Sequence, residues 1–253
     1  MSEAPIRRIL GVRVHDVTME EALRIVAGFL AKGGAHQICT VNPEFVMHAR
    51  RDPAFFRVLE EADLNVPDGV GLLWAGRILR QPLRERVPGV ELMEALAARA
   101  AERGWRVFLL GAAEGVADRA AAVLQARYPG LIVAGTFAGS PRPEDAPHIL
   151  ERLRKARPDL LFVAYGAPQQ DLWIARYQPE LGIPVAMGVG GAFDFIAGVV
   201  PRAPRWMREI GLEWLYRLIR QPWRWRRMLA LPRFVLAVLA ARYGSGGTGA
   251  GAG

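Results

Sequence analysis

Acids, amides and glycines follow several short apolar runs in this chain, where an α/β fold gathers residues along one edge of a parallel sheet. Asp68, in LNVPDGVG (64–71), comes after such a run and before two glycines. A carboxylate there either takes a proton from a substrate hydroxyl as a general base or caps the helix that follows it. Thr40 and Asn42, in TVNPE (40–44), have the same two readings: ligand contacts, or a buried strand residue followed by a helix cap. Gln169 and Gln170 follow Pro168 as either ligand contacts or first-turn polar residues. The turns GAAEG (111–115) and GVGG (188–191) offer Gly111, Gly115 and Gly190 as backbone donors to a phosphate, with tight strand-to-helix packing as the plain alternative. Neither has G-x-G-x-x-G spacing or a P-loop lysine, which argues against a dinucleotide cofactor or ATP hydrolysis. D-x-D is absent, and the His residues (15, 36, 48, 148) and the single Cys39 are scattered, so no metal and no cofactor are expected. Arginines must then meet any phosphate charge.

Positioning these residues takes strands that alternate with helices. HQICTV (36–41), LNVP (64–67), RVFLL (106–110), LIVAGTF (131–137), LLFVAY (160–165) and IPVAMGV (183–189) read as strands, several apolar on both faces as buried parallel strands are. Thr18 and Glu21 form a capping box, Pro53 and Pro143 suit first turns, and Gly33 and Gly104 suit helix ends. The pattern predicts an α/β fold with a doubly wound, Rossmann-like parallel sheet, preceded by a short strand or hairpin over 6–14. In that fold the carboxyl ends of the strands line the ligand crevice.

Charge divides the chain. From 202 onward ten Arg stand against Glu209 and Glu213, which accounts for the whole net charge of +8 and leaves residues 1–201 neutral. Such an asymmetry implies a polyanionic partner. Four of the seven Trp (206, 214, 223, 225) also lie here; Trp206, Ile210, Trp214 and Leu218 recur every four residues, and FVLAVLA follows at 234–240. A basic, amphipathic helical appendage lying on a membrane surface fits this pattern, and so does a face packed on the body or on a second subunit. The expected division is a catalytic domain over 1–200, a basic Trp/Arg-rich membrane-associating appendage over 201–243, and a flexible glycine-rich tail over 244–253. Neither a cleavable leader nor a clean membrane span is read, which places the chain in the cytoplasm.

Six motifs in order resemble the WecG/TagA/CpsF family of glycosyltransferases, also called glycosyltransferase family 26: TVNPEFVMHARRDP (40–53), ADLNVPDGVG (62–71), RVPGVEL (86–92), FLLGAAEGVA (108–117), YGAPQQDLWI (165–174) and GVGGAFDFIAGVVPRAPRWMREIGLEWLYRL (188–218). The resemblance implies an inverting, metal-independent enzyme, peripheral on the inner face of a bacterial membrane. It would move N-acetylmannosamine or its uronic acid from a UDP-sugar donor to an N-acetylglucosamine-diphosphate-undecaprenol acceptor, in synthesis of a teichoic acid-type surface polymer. By the same resemblance Asp68 is the general base, with Thr40 and Asn42 beside it and Arg86 and Gln170 on the substrate. Arg217, Arg224 and Arg227 close over the site and bind phosphate. Asp171 stands where the family is expected to carry Glu and is given no role, and sequence does not choose between Arg84 and Arg86. The glycines after Asp68 are read as room for a sugar. A homo-oligomer is one place for the apolar face of the tail. Rival readings are transfer of a different hexose in exopolysaccharide synthesis, a nucleotide enzyme of dinucleotide type, and an anionic-membrane or nucleic-acid binding module; the last leaves Thr40, Asn42, Asp68 and Gln170 unexplained, so no nucleic acid is expected as partner.

Overall fold

The computed structural model describes residues 4–204, 206–207, 213–220 and 225–243, without the side chains of residues 213, 217, 226 and 227. A hairpin, β1 (Ile6–Ile9) and β2 (Val12–His15), leads into α1 (Met19–Lys32). Then come β3 (His36–Val41), α2 (Pro43–Ala49), α3 (Pro53–Glu61), β4 (Leu64–Pro67), α4 (Val70–Ile78), α5 (Gly89–Arg103), β5 (Arg106–Gly111), α6 (Val116–Arg127) and β6 (Ile132–Phe137). After a 3-10 turn at Pro143–Asp145 follow α7 (Ala146–Ala156), β7 (Leu160–Ala164), α8 (Gln169–Leu181), β8 (Val185–Gly188) and α9 (Ala192–Ile196). Helices at Glu213–Arg220, Trp225–Met228 and Ala230–Tyr243 complete the described chain.

Six strands form one parallel sheet in the order β4-β3-β8-β7-β5-β6. β4, β7 and β8 are buried at every residue, as strands covered by helices on both faces must be, whereas the edge strand β6 is only partly covered. One face packs α1, α5, α6 and α9 around Phe162, Met187 and Phe193. The other holds α2, α3, α4 and α8, with Phe55, Leu59 and Leu72 at its centre. The local signals hold: Thr18 and Glu21 make both capping-box bonds, Pro53 opens α3, and Gly33 and Gly104 end α1 and α5.

The hairpin braces the edge beside β4. The Asn65 backbone N–H donates to His15 Nδ1 at 2.9 Å, and the Asn65 side-chain amide donates to the carbonyls of Arg13 and Leu59. Burial pushes the His15 imidazole down to about 4, so it stays neutral and accepts that bond at physiological pH.

Part of the basic appendage belongs to the body. Phe234 and Val238 of the helix Ala230–Tyr243 are buried in the core shared with Phe45, Phe55 and Leu72. The outward face of this helix carries Leu236, 66% exposed, with Val235, Leu239 and Tyr243 also exposed. Of the four-residue repeat expected upstream, Trp206 and Trp214 are exposed and Leu218 is half-buried, while Ile210 lies outside the described residues.

Candidate active site

The carboxyl ends of β4 and β3 lie side by side, Thr40 opposite Val66 and Val41 opposite Pro67, so the next residues, Asn42 and Asp68, emerge together at the sheet edge. Asp68 is anchored there through its own backbone N–H, which donates to the Val41 carbonyl at 2.7 Å. Its side chain does not cap the helix that follows. Gly69 is the N-cap of α4 and no side chain caps that helix; instead the Gly89 N–H donates to Asp68 Oδ2 at 3.3 Å. The carboxylate is therefore held at the N-terminus of α5, where backbone N–H groups and the helix dipole favour negative charge.

The two glycines after Asp68 serve backbone geometry. Gly69 has φ +109°, a conformation that side chains disfavour, and a Cβ on Gly71 would stand 2.8 Å from Pro43 Cγ. Small residues here let the first turns of α2 and α4 pack together, framing Asn42 and Asp68. Asn42 is the N-cap of α2, its Oδ1 accepting from the Phe45 N–H at 3.1 Å. Thr40 is buried under the start of α5, where a Cβ on Gly89 would lie 3.0 Å from its methyl carbon.

Arg84 and Arg86 are separated by their partners. Arg84 bonds the Asp16 and Glu21 carboxylates and the Asp16 carbonyl, tying this segment to the hairpin and α1. Its guanidinium thereby holds the Glu21 carboxyl below the usual carboxylate range. Three residues on from Arg84, the Val87 N–H donates to the Pro67 carbonyl at 2.8 Å, which brings the backbone of Arg86 close to that of Asp68.

Gln170 is a clamp between loops. Though it is only the second residue after a helix cap, it is buried, and its Oε1 accepts from the Gly166 N–H at 3.1 Å and from the Gly190 N–H at 2.9 Å. It ties the loop after β7 to the loop after β8, and the Gly190 donor is thus engaged within the protein. Gly111 fits closely against β7, since a Cβ there would lie 2.8 Å from the Ala164 carbonyl carbon. Gly115, at φ +73°, is the N-cap of α6. This β5–α6 turn stands four strand positions from Asp68, about 19 Å at the usual strand spacing. Thr40, Asn42, Asp68 and Arg86 thus cluster at the β3–β4 end, Gln170 bridges the middle, and the Gly111–Gly115 turn occupies the far side. The side chains of Arg217 and Arg227, and all of Arg224, lie outside the described residues.

Asp171 is the residue that sequence reasoning passed over. It is fully buried, neither carboxylate oxygen has a donor in bonding geometry, and the Cys39 thiol and Gln170 side chain are beside it. Burial, only partly offset by these neighbours, pushes its carboxyl up to about 7, and the Cys39 thiol is pushed up in turn. Gly188 makes space for the pair: a Cβ there would stand 2.5 Å from Gln170 Nε2 and 2.7 Å from Asp171 Oδ1. A signal for this burial was available, because Asp171 falls three residues before Ile174 and seven before Gln178, on the inward stripe of α8.

Among the described residues, no three His, Cys, Asp or Glu side chains converge in a group that could hold a metal ion. Within the same residues no helix is long and apolar enough to cross a membrane.

Comparison with known proteins adds a lineage to this geometry. The family described as "Glycosyl transferase WecG/TagA/CpsF family" matches residues 7–247. A protein of Bacillus subtilis (strain 168) named N-acetylglucosaminyldiphosphoundecaprenol N-acetyl-beta-D-mannosaminyltransferase is 37% identical over 202 residues, 80% of this chain and 78% of the relative. A protein of Staphylococcus aureus (strain MW2) with the same name is 33% identical over 236 residues, 92% of each chain.

Proposed function

This chain belongs to the WecG/TagA/CpsF family of glycosyltransferases, and from that membership we propose that it moves N-acetylmannosamine, or its uronic acid, from a UDP-sugar to N-acetylglucosamine-diphosphate-undecaprenol. The observation that carries the reading is the setting of Asp68: a carboxylate at a strand end, turned from its own helix toward the start of α5, with Asn42 at the neighbouring strand end and the backbone of Arg86 close by.

In this reading the acceptor hydroxyl gives its proton to Asp68 as its oxygen bonds the anomeric carbon from the face opposite the leaving group. The bond from that carbon to the UDP oxygen breaks, its electron pair passes to the diphosphate, and the configuration inverts. The Gly89 N–H fixes the rotation of the Asp68 carboxyl, and a base held in reach contributes roughly 10² to 10⁴ in rate. Arg86 and the tail arginines Arg217, Arg224 and Arg227 neutralise the departing diphosphate through charge-assisted bonds, without a metal. Gln170 supports the site by holding the loops after β7 and β8 together; Thr40 and Asn42 line the acceptor side.

A lipid-linked acceptor has to be met at a bilayer surface. The exposed Leu236, Leu239 and Tyr243, with Arg233 and Arg242 on the flanks of the same helix, suit an interface of apolar chains and anionic head groups. The protein in this reading is cytoplasmic and peripheral on the inner membrane face.

The test is a transfer assay in EDTA with a panel of UDP-sugars and synthetic N-acetylglucosamine-diphosphate lipid, comparing wild type with Asp68→Asn by mass spectrometry. The expected result is a disaccharide lipid from wild type and a loss of roughly 10² to 10⁴ in rate in the variant. Product formation at the wild-type rate by Asp68→Asn refutes the base assignment, and product only with added Mg²⁺ or Mn²⁺ refutes metal independence.

A further inference from the structure

A cavity of about 380 Å³ opens between α2, the Ala167–Pro168 turn and the start of the helix Ala230–Tyr243. Phe45 and Met47 form an apolar wall, and Arg51 and Arg233 line it from opposite elements. Both arginines are exposed, and neither has an acidic partner among the described residues. His48 also lines the cavity, 3.4 Å from Asp52, and Glu44 adds one carboxylate, so positive charge prevails. Two guanidinium groups lining one cavity, against the single carboxylate of Glu44, suit a phosphate ester, which accepts bidentate bonds from each.

The position suits one phosphate ester in particular. Glu44 is two residues from Asn42, and Pro168 is two from Gln170, so the cavity begins within about 8 Å of each along the backbone. Asn42 follows the strand end next to that of Asp68, so the cavity opens on the same edge of the sheet as the proposed base. On the helix, Leu236 lies one turn beyond Arg233, and Leu239 and Tyr243 continue an exposed apolar stripe away from the cavity.

We propose that this cavity seats the diphosphate of the polyprenyl acceptor, with Arg51 and Arg233 binding its phosphate oxygens and the Leu236–Leu239–Tyr243 stripe carrying the first prenyl units. The proposal rests on the reading of a lipid-linked acceptor and gives that lipid a place separate from the donor diphosphate.

The experiment titrates farnesyl diphosphate, inorganic diphosphate and UDP into the full chain by calorimetry, for wild type and for Arg51→Gln/Arg233→Gln, which removes both charges and leaves polar side chains at the two exposed positions. The expected result is tighter binding of farnesyl diphosphate than of inorganic diphosphate, weakened roughly tenfold or more in the variant, with UDP binding unmoved. Equal farnesyl diphosphate affinity in the two proteins overturns the proposal, as does equal affinity of wild type for inorganic and farnesyl diphosphate, which marks a bare anion site. Sedimentation with phosphatidylglycerol vesicles separates the remaining source: loss of vesicle binding with farnesyl diphosphate binding intact makes the arginines a bilayer contact and overturns the seat. In the transfer assay the variant raises the KM for the lipid acceptor and leaves the KM for the donor in place. Turnover with an unchanged acceptor KM sinks the seat and keeps the transferase reading; farnesyl diphosphate binding lost in the variant, with no transfer by wild type, keeps the seat and sinks the transferase reading.

Discussion

Replacing Asp171 by Asn should change how stability depends on pH, and the direction follows from burial alone. The carboxyl is fully enclosed, has no donor in bonding geometry, and is pushed from 3.8 up to about 7, chiefly by desolvation that the neighbouring Cys39 and Gln170 only partly offset. Below pH 3.8 the acid is protonated in both the folded and the unfolded chain, and its contribution to stability is constant. As pH rises from 3.8 to about 7, the unfolded chain gives up this proton while the native state keeps it. Unfolding then releases a proton, and stability falls by about 1.4 kcal/mol per pH unit. Across that window the loss comes to roughly 4 kcal/mol, and above it both states are ionised and the penalty is constant. The Asp171→Asn variant carries no such penalty. Its new amide brings two donors to a place where Gln170 Oε1 already accepts from Gly166 and Gly190, so a pH-independent cost of about 1–3 kcal/mol accompanies the change. The slope of the difference curve is therefore the readout, and its offset is not. Urea unfolding of both proteins from about pH 4.5 to 8.5 measures it, with contributions from His15 and the surface carboxylates cancelling in the difference. The variant should gain on wild type steadily up to about pH 7 and hold its gain above. Parallel curves across the whole range would falsify the claim that Asp171 is buried as a neutral acid.

Four further outcomes are expected. Gly188→Ala forces a methyl group against Gln170 and Asp171, and should lower stability by about 1–3 kcal/mol, read by chemical denaturation, and reduce transfer as the Gln170 clamp shifts. Arg86→Ala should cut turnover sharply in the transfer assay with little change in melting temperature, whereas Arg84→Ala should lower the melting temperature by freeing the segment from Asp16 and Glu21, with the smaller effect on turnover. Phe234→Ala removes a fully buried ring from the core under the C-terminal helix, at a cost of about 3–5 kcal/mol; limited proteolysis should then release this helix first. Gly111→Ala places a Cβ 2.8 Å from the β7 backbone, and it should destabilise the sheet in urea whether or not a UDP-sugar is present.

The transferase reading and the stability argument meet at Gln170 and Asp171. Gln170 bridges the loops after β7 and β8, and the acid beside it has no counter-charge. A proton lost from Asp171 puts an anion against that bridge. The alkaline limb of the rate profile is thus a second place to look for this residue, and Asp171→Asn should flatten it.

Features of local origin were legible in the sequence by itself. The capping box of Thr18 and Glu21, the prolines that open helices, and the apolar runs that became β3, β4, β7 and β8 all depend on neighbours within a few residues or on one repeating period. The arrangement of motifs was enough for the family resemblance, and the charge count alone marked off the basic tail. Long-range partners were not legible. Position alone slightly favours Asp68 as a cap of its own helix, and only Gly89, 21 residues away, shows the N–H that its side chain accepts instead. Arg84 and Arg86 are alike in sequence, and it takes Asp16 and Glu21, 68 and 63 residues away, to show which acids engage the Arg84 guanidinium. Asp171 passes for a surface acid until the sheet closes over it. A hydrophobic period says which face of an element turns inward, but a carboxylate's pKa and an arginine's role depend on which donors, acceptors and water molecules remain within reach. The packing of distant segments decides that, and it does so only when the chain has folded.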